Sequence, residues 1–504
     1  MGLGETLDNI IAVFSPEMAV RRRNFRLELK GAYDASSPTR KDMPFGVDGR
    51  AEQLNSGSRD IVLKRCRDVE RNSDILNAMI YSLQNNVIGS KINMQASSPS
   101  KKFDARIEEL FHNWEHAENC DITESQSLTE IARMVLARYI VDGGIIVTYV
   151  TDKKSSIPIK IQLREVDEIV PTSIPKTDGG NVICNGIEMT TYGKPVAYYL
   201  RQYDPNGMAE DLNSERIEAS RVDFVWNRTR PSQFREMSQL ARSVVRINDI
   251  DDYNDTVAFK AKVDACTSAF IETDNNMSQP GRNVNTEKGE RITKVQGGSV
   301  KYLRYGEHFK QFTPSGQATE FENFIVTQLR ILAASHGLSL ESASRNVERV
   351  NYSSARQNML ADQQTYKALR NFIIEHFFRK LYKRFINACW LAGLLDGFDF
   401  DPSDPRFYEA KWLTEGLPWI DPLKEANANT IQLGNGGMSF QEYCANNGAD
   451  WKERLEEMAE VKKYAEQLGV DLNFIMPEPQ EEPEEEKGES NNAKQGRKQN
   501  PKAS

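Results

Sequence analysis

Nothing in this 504-residue chain gathers enough soft ligands in one place to predict a metal site or a disulfide frame. The six cysteines (Cys66, Cys120, Cys184, Cys266, Cys389 and Cys444) stand far apart with no CxxC pair, so they read as reduced thiols, mostly core or incidental. The five histidines (His112, His116, His308, His336 and His376) are equally dispersed. Only His112 and His116 have the i, i+4 spacing of a helical metal pair, and no HExxH pattern accompanies them. No long apolar run is present either. The most apolar stretch, residues 134–150, carries Arg138 and Asp142, which excludes a membrane span there. Ile10 to Phe14 is too short for the apolar region of a signal peptide. The opening Met1-Gly2-Leu3-Gly4-Glu5-Thr6 fits the loose myristoylation pattern, which arises often by chance. An excess of positive charge is also missing. Sixty-four Lys and Arg against 73 Asp and Glu give a net charge of −9, so the chain as a whole is not built to grip phosphate. There is no GxxxxGK[ST] loop and no GxSxG elbow. The neighbouring acids Asp251 and Asp252 would point to different faces of a helix and form no acid–base pair. No catalytic constellation assembles, which favours a structural machine part over an enzyme and assigns no cofactor.

What is present is length and helix. A chain of this size predicts two to four folded units, and 39% hydrophobic with 27% charged residues predicts a globular protein. Residues 1–57 read as an arm, with a basic cluster Arg21-Arg22-Arg23 and a Ser-, Pro- and Gly-rich stretch at 36–57. Periodicity predicts helices over 58–87, 103–118 (stripe Ile107, Leu110, Phe111, Trp114) and 128–142. The period then changes to two. Residues 145–150, 157–163 and 194–203 read as strands of a modest sheet, with a strand and turn at 186–194 before the last of them. From Glu236 to Asp274 there is neither glycine nor proline, which predicts a helix of ~35 residues, ~50 Å long. Residues 275–318 are turn-rich. Glu320 to Ser335 is amphipathic, with a polar stripe Glu320, Asn323, Thr327 and Arg330 opposite Phe321, Phe324, Ile325, Leu329 and Leu332. Leu338 to Val350 reads as a connector carrying Arg345, Glu348 and Arg349. After Asn351 the stripe Leu369, Phe372, Ile373, Phe377, Leu381 and Phe385 predicts a helix of ~40 residues, ~60 Å. Short helices follow from 421 to 468, and an acidic-then-basic low-complexity tail closes the chain and reads as disordered.

Several stretches, in order, carry a family resemblance: Arg71-Asn72, Val87 to Ile92, Trp114 to Asp121, Asp142-Gly143-Gly144, Gly186-Ile187-Glu188, Gly193 to Tyr198 and Arg230-Pro231-Ser232-Gln233-Phe234-Arg235. The hexapeptide Asn351, Tyr352, Ser353, Ser354, Ala355, Arg356 follows, then Asp421 to Ala426, Gly434 to Ser439 and Gly448-Ala449-Asp450. Together they resemble the lambda-like phage portal proteins, over roughly residues 26–472. Two positions depart from the family pattern. Asp74 stands where proline is common and Glu236 where glycine is common, both at expected helix starts, where they bear on the local caps.

The resemblance implies an α+β, predominantly helical portal fold with long stem and wing helices, a small wing sheet and a turn-rich α/β clip. It implies a wing over 58–235, stem helices over 236–274 and 319–336, a clip over 275–318 and a tunnel loop over 337–350. A long wing helix with its following segment would occupy 351–420, crown helices 421–475 and the disordered tail 476–504. Glu320, Asn323, Thr327 and Arg330 would line a DNA channel, or else face a neighbouring subunit. Arg345, Glu348 and Arg349 would lie on the tunnel loop, and Arg282, Lys288, Arg291 and Lys294 on the clip surface. The implied partners are eleven further copies in a dodecameric ring, double-stranded DNA, the terminase large subunit, the major capsid protein and scaffold, and head–tail adaptors. The implied location is the portal vertex of a virion assembled in host cytoplasm, with no membrane. Two rival classes are a metal-dependent nuclease and another capsid or tail ring component.

Overall fold

The computed structural model describes residues 18, 48–175, 177, 179–202, 214–266, 269–273, 307–311, 318–348, 351–414 and 422–468. Of the turn-rich segment 275–318 only 307–311 and 318 are among them; its basic residues Arg282, Lys288, Arg291 and Lys294 lie outside, as do Arg349, the cluster Arg21-Arg22-Arg23 and the low-complexity tail. The chain is mainly helical with small sheets and forms two compact units that interleave along the sequence. One comprises Met1–Ser73, Arg138–Thr148 and Leu163–Lys262; the other comprises Asp74–Ala137, Tyr149–Gln162 and Val263–Ser504.

In the first unit the β-branched stretches become two sheets, not one. Gly144–Val150 pairs antiparallel with Val222–Trp226, setting Ile146 opposite Phe224. Val182–Cys184, Ile187–Met189, Pro195–Arg201 and Ser214–Glu218 form a four-stranded antiparallel sheet in that order. Ile146, Val166, Ile169, Ile187, Met189, Tyr198, Leu200, Val222 and Phe224 bury together, and Leu63 joins them from the helix Arg59–Asn72. The expected loop at 36–57 is helical in its last part, Ala51–Ser56, because Glu52 turns inward to a buried charge cluster. The helix expected over 58–87 is two helices, Arg59–Asn72 and Asp74–Val87. Ser73 takes an extended conformation (φ −99°, ψ 118°) and interrupts the hydrogen-bond ladder between them.

The helix expected from Glu236 is shorter. It begins at Val244 and runs to Cys266, 23 residues or about 35 Å. Residues 233–243 cannot join it, because Gln233, Arg235 and Glu236 are buried with their side chains bonded outside any helical ladder. Ser238 caps a separate 3₁₀ turn, Gln239–Arg242. Ile247 and Ile250 are buried, but no residue from 251 to 262 is, so only the first turns pack within their unit. Ala269–Thr273, expected as helix, is a strand antiparallel to Glu307–Gln311.

In the second unit the core is aromatic. Phe103, Ile107, Leu110, Phe111 and Trp114 line the buried face of the helix Lys101–Trp114, as their spacing predicts. Phe385 meets Phe111 at 5.1 Å and Trp114 at 5.0 Å between centroids. Trp412 sits 4.5 Å from Phe378, on a strand (Ala410–Thr414) paired antiparallel with Ile92–Ala96. Trp114 Nε1 donates to the Ile159 carbonyl at 2.8 Å, so this large ring buries no unsatisfied donor. The long helix runs from Tyr352 to Leu391 without a break, as 22 α-helical residues, a 5-residue π-helical segment (Ile374–Phe378) and 13 more α-helical residues. The wider π turn shifts the side-chain phase. Both Phe377 and Phe378 therefore face inward, ahead of Leu381, Tyr382, Phe385 and Ile386. Helices Pro422–Gly434, Phe440–Asn446 and Trp451–Leu468 follow.

Candidate functional site

The hexapeptide acts first as a helix start. Asn351 is the N-cap of Tyr352–Ile373; its Oδ1 accepts the Ser354 N–H at 2.9 Å and the Ser353 and Ser354 hydroxyls at 2.9 and 2.8 Å. One short polar side chain thus satisfies a donor that the helix leaves orphaned, while two serines lock its orientation. Arg356 is exposed.

The connector before it is less open than its sequence suggests. Residues 340–344 form a short helix capped by Ser339, whose Oγ accepts the Ser342 N–H at 3.2 Å. Asp362, one face along the long helix and 2% exposed, clamps this turn. It accepts the Ser339 N–H at 2.7 Å, the Ser339 hydroxyl at 2.6 Å and the Ser342 hydroxyl. Thr365 donates to the Gly337 carbonyl at 2.7 Å, and Asn358 donates to Glu341 at 3.0 Å. Gly337 sits at φ 71°, and a Cβ there would lie 2.8 Å from the Thr365 hydroxyl, so only glycine allows this tight return. The chain escapes the long helix after Ser344. Arg345 adopts the left-handed conformation (φ 56°), and Arg345 to Glu348 are exposed. The free part of the connector is therefore short and begins at Arg345.

The helix Ala318–Ser335 presents Asn323, Thr327 and Arg330 exposed along one line. The side chain of Glu320 is outside the described residues. Thr327 Oγ1 donates to the Asn323 carbonyl at 2.7 Å, which leaves its oxygen as an acceptor only. The opposite face is only partly covered within this chain. Leu332 and Ala333 are buried, while Phe324 and Ile331, expected respectively on the apolar side and unassigned, stay 43% and 45% exposed beside the polar line.

The other quoted stretches hold the framework. Arg370 donates to the carbonyls of Val87 (2.9 Å) and Asn86 (2.8 Å), and Arg133 donates to the Gly89 carbonyl (3.0 Å), so two cations satisfy the end of Asp74–Val87. Asp142 accepts Arg67 through both oxygens (3.1 and 3.0 Å), and Arg138 as well at 3.4 Å. The next residue, Gly143, has φ 88°, and a Cβ there would fall 2.4 Å from the Met237 backbone. Sequence reasoning missed the buried cluster of Glu52, Arg59, Arg235 and Glu236. Arg59 bonds Glu52 at 2.6 Å and lies 3.8 Å from Glu236, and Arg235 bonds Glu236 at 2.8 Å. Glu52 also accepts the Phe234 and Arg235 N–H groups and Asn185. Burial alone would raise the pKa of Glu52, but the Arg59 charge and these hydrogen bonds outweigh it and hold the carboxyl below the ordinary range. The departure at Glu236 is explained here, since its side chain is the counter-charge of two arginines.

His112 and His116 lie 5.6 Å apart between ring centroids, and His112 Nδ1 pairs with Glu115 at 2.9 Å. Among the described residues no group of three or more His, Cys, Asp or Glu side chains is placed to hold a metal ion, and no helix is long and apolar enough to cross a membrane. Burial pushes the Cys120 and Cys389 thiols up to about 12, so both are inert packing groups. Asp252 accepts Asn248 at 2.9 Å along its own helix.

Among the described residues, those quoted for the resemblance thus act as caps, clamps and charge pairs that set helix starts and turns. The family model "Phage portal protein, lambda family" matches residues 45–370, and the chain belongs to that family. It is a structural component of a bacteriophage particle and not an enzyme. Among curated relatives, a "Probable portal protein" of Halomonas phage phiHAP-1 is 22% identical over 440 residues, covering 84% of each chain. "Portal protein B" of Escherichia phage lambda is 22% identical over 437 residues, covering 77% of this chain and 81% of the relative. "Portal protein" of Escherichia phage N15 is 21% identical over 456 residues, covering 81% and 84%. A chain from the neck of an empty gene transfer agent particle matches 80% of this chain and 99% of its own length, at 12% identity and a TM-score of 0.47.

Proposed function

We propose that this portal protein assembles as a dodecameric ring at one vertex of the capsid and encloses a channel through which double-stranded DNA is packaged, retained and ejected. The observation that carries this reading is the surface of Ala318–Ser335. A polar line of mixed character, Asn323, Thr327 and Arg330, runs beside the exposed apolar residues Phe324 and Ile331. Exposed apolar side chains beside a wet stripe suit a helix packed between copies of itself, with the stripe turned to the bore. A bore lined mainly by Lys and Arg would hold the duplex, because each phosphate contact releases counterions and adds affinity. A stripe with one arginine among neutral and acidic residues lets DNA slide.

In this arrangement Val244–Cys266 and Ala318–Ser335 are the stem pair and the turn-rich segment between them is the clip. Residues 337–350 are the tunnel loop, exposed from Arg345 to Glu348, the helix Tyr352–Leu391 crosses the wing, and residues from about 421 build the crown. The clip, with Arg282, Lys288, Arg291 and Lys294, receives the terminase large subunit during packaging and head–tail adaptors afterwards. The wing meets the major capsid protein and scaffold, assembly takes place in host cytoplasm, and the ring remains in the virion. ATP is hydrolysed by another chain.

The test is Glu320→Lys with Asn323→Lys in assembled particles. Each added lysine facing the bore contributes about one unit of salt-dependence slope per phosphate contacted. Packaging and ejection should therefore slow markedly at low salt and recover at high salt. Normal packaging and DNA retention in the double variant would show that these positions do not line the channel.

A further inference from the structure

The long helix carries one residue more than its packing surface uses. Counted from the buried Ile373, the buried residues that follow (Phe377, Phe378, Leu381, Tyr382, Phe385, Ile386 and Cys389) fall at offsets 4, 5, 8, 9, 12, 13 and 16. A regular α-helix puts offsets 3, 4, 7, 8, 11, 12 and 15 on one face, which is the same series with one residue left out. Counted backwards, the buried Tyr366 and Asp362 fall at 7 and 11 and need no such correction. The π-helical turn Ile374–Phe378 takes up the surplus. The Ile374 carbonyl accepts the Arg379 N–H five residues on, and the Ile374 N–H is shared between the carbonyls of Arg370 and Asn371. The two halves that it joins are held unequally. Between 353 and 370 only Asp362 and Tyr366 are buried, whereas beyond Ile373 the rings of Phe378, Tyr382 and Phe385 lock against Phe111, Trp114 and Trp412. The lighter half is tied to the connector through Asp362, Thr365 and Asn358.

We propose that Ile374–Phe378 is a mechanical joint, on which the half Tyr352–Ile373 and the connector it clamps swing as one lever against the anchored half Arg379–Leu391, a role that rests on the reading of this connector as a loop at a DNA channel. A π turn is where a helix bends, because its wider ring replaces the tight α ladder. Gln357 lies 16 residues from Ile373, so a swing of about 10° moves it by about 4 Å at a radius of about 24 Å, and moves Arg370 by less than about 1 Å. The bonds from Arg370 to the Val87 and Asn86 carbonyls therefore survive while the loop beginning at Arg345 shifts. The loop yields to a passing duplex and the aromatic core stays still.

The experiment uses the full chain with and without Glu375. This residue is exposed, its ion pair with Arg379 at 3.0 Å contributes little, and its deletion puts both buried faces in step on a continuous α-helix. Spin labels on unnatural side chains at the exposed positions Gln357 and Lys411, and in a second pair Gln357 and Lys102, read the swing in protein diluted with unlabelled copies. In at least one pair the wild-type distance distribution should be wider than that of the deletion by about 4 Å. Equal widths in both pairs would sink the joint whatever the channel does, because the labels are read without DNA. Denaturant unfolding checks the surplus. Deletion of Glu375 should leave the midpoint unchanged or higher, whereas deletion of Lys383 turns either Leu381 and Tyr382 or Phe385 and Ile386 about 100° off the core and should lower it sharply. An equal loss in the two deletions would mean that no residue is in excess. In assembled particles the Glu375 deletion should package DNA more slowly than wild type. A wild-type rate alongside narrowed distances would show that the joint serves no DNA passage, while failure of the channel reading itself is read from the lysine variants at Glu320 and Asn323.

Discussion

Asp362 is the single side chain on which the order of the connector depends most. It is 2% exposed and accepts the Ser339 N–H at 2.7 Å together with the Ser339 and Ser342 hydroxyls. Asp362→Ala removes all three acceptor contacts while leaving the donors in place. A hydrogen bond to a charged group contributes about 1.5–3 kcal/mol, and the two hydroxyls can turn to water, so the local loss is about 3 kcal/mol. At 1.4 kcal/mol per tenfold, that is roughly a 100-fold rise in the open population of residues 338–344. Native-state amide exchange reads this directly at Ala343 and Arg345, whose N–H groups bond the Ser339 carbonyl (3.1 Å) and the Glu341 carbonyl (2.7 Å). Both amides should exchange about 100-fold faster in Asp362→Ala, and about tenfold faster in Asp362→Asn, which keeps one acceptor oxygen. Amides in the middle of Tyr352–Ile373 should be unaffected. Wild-type exchange at Ala343 and Arg345 in the alanine variant would refute the clamp. In particles, the same variant lengthens the free loop from its present start at Arg345, so its effect on DNA retention reports whether this loop gates the channel.

Two further outcomes follow from the same geometry. Glu52→Gln breaks a buried charge cluster and should lower stability by about 3 kcal/mol at pH 7, measured by denaturant unfolding. Because the folded pKa of Glu52 lies below its unfolded value, its contribution is full above about pH 4.3 and fades as pH falls through the folded value, so wild type and variant should converge in acid. Asn351→Ala should cost about 1 kcal/mol by thermal unfolding, whereas Asn351→Asp, which keeps the capping oxygen, should be close to neutral; equal losses in both would mean that capping is not what this residue supplies.

Much of the helical framework is legible from local rules. The stripe ending in Trp114, the stop at Gly143, the amphipathic run ending at Ser335 and the unbroken helix from Tyr352 to Leu391 follow from periodicity and from where glycine does and does not occur. Such signals are readable because helix bonds close within four residues. The strand Ser214–Glu218 gives no such sign. Its Ser-Glu-Arg-Ile-Glu sequence is polar and mostly exposed, and only pairing with Pro195–Arg201 makes it a strand. Ala269–Thr273 likewise carries a helix-compatible sequence, yet pairs with a partner more than thirty residues away.

The candidate sites divide in the same way. Asn351 is visible as a cap because its partners are its neighbours. The exposed stripe on Ala318–Ser335 is visible because offsets of three and four place residues on one side of a helix. The sequence alone thus determined the family, the order of helices and the absence of an assembled catalytic motif. Tertiary structure decided that Val244 and not Glu236 starts its helix, and that Asp362 pins half of the connector. The physical reason is that buried charges and stacked rings are satisfied by groups distant in the chain. Arg59 and Glu236 are separated by 177 positions, and no local pattern records that they meet.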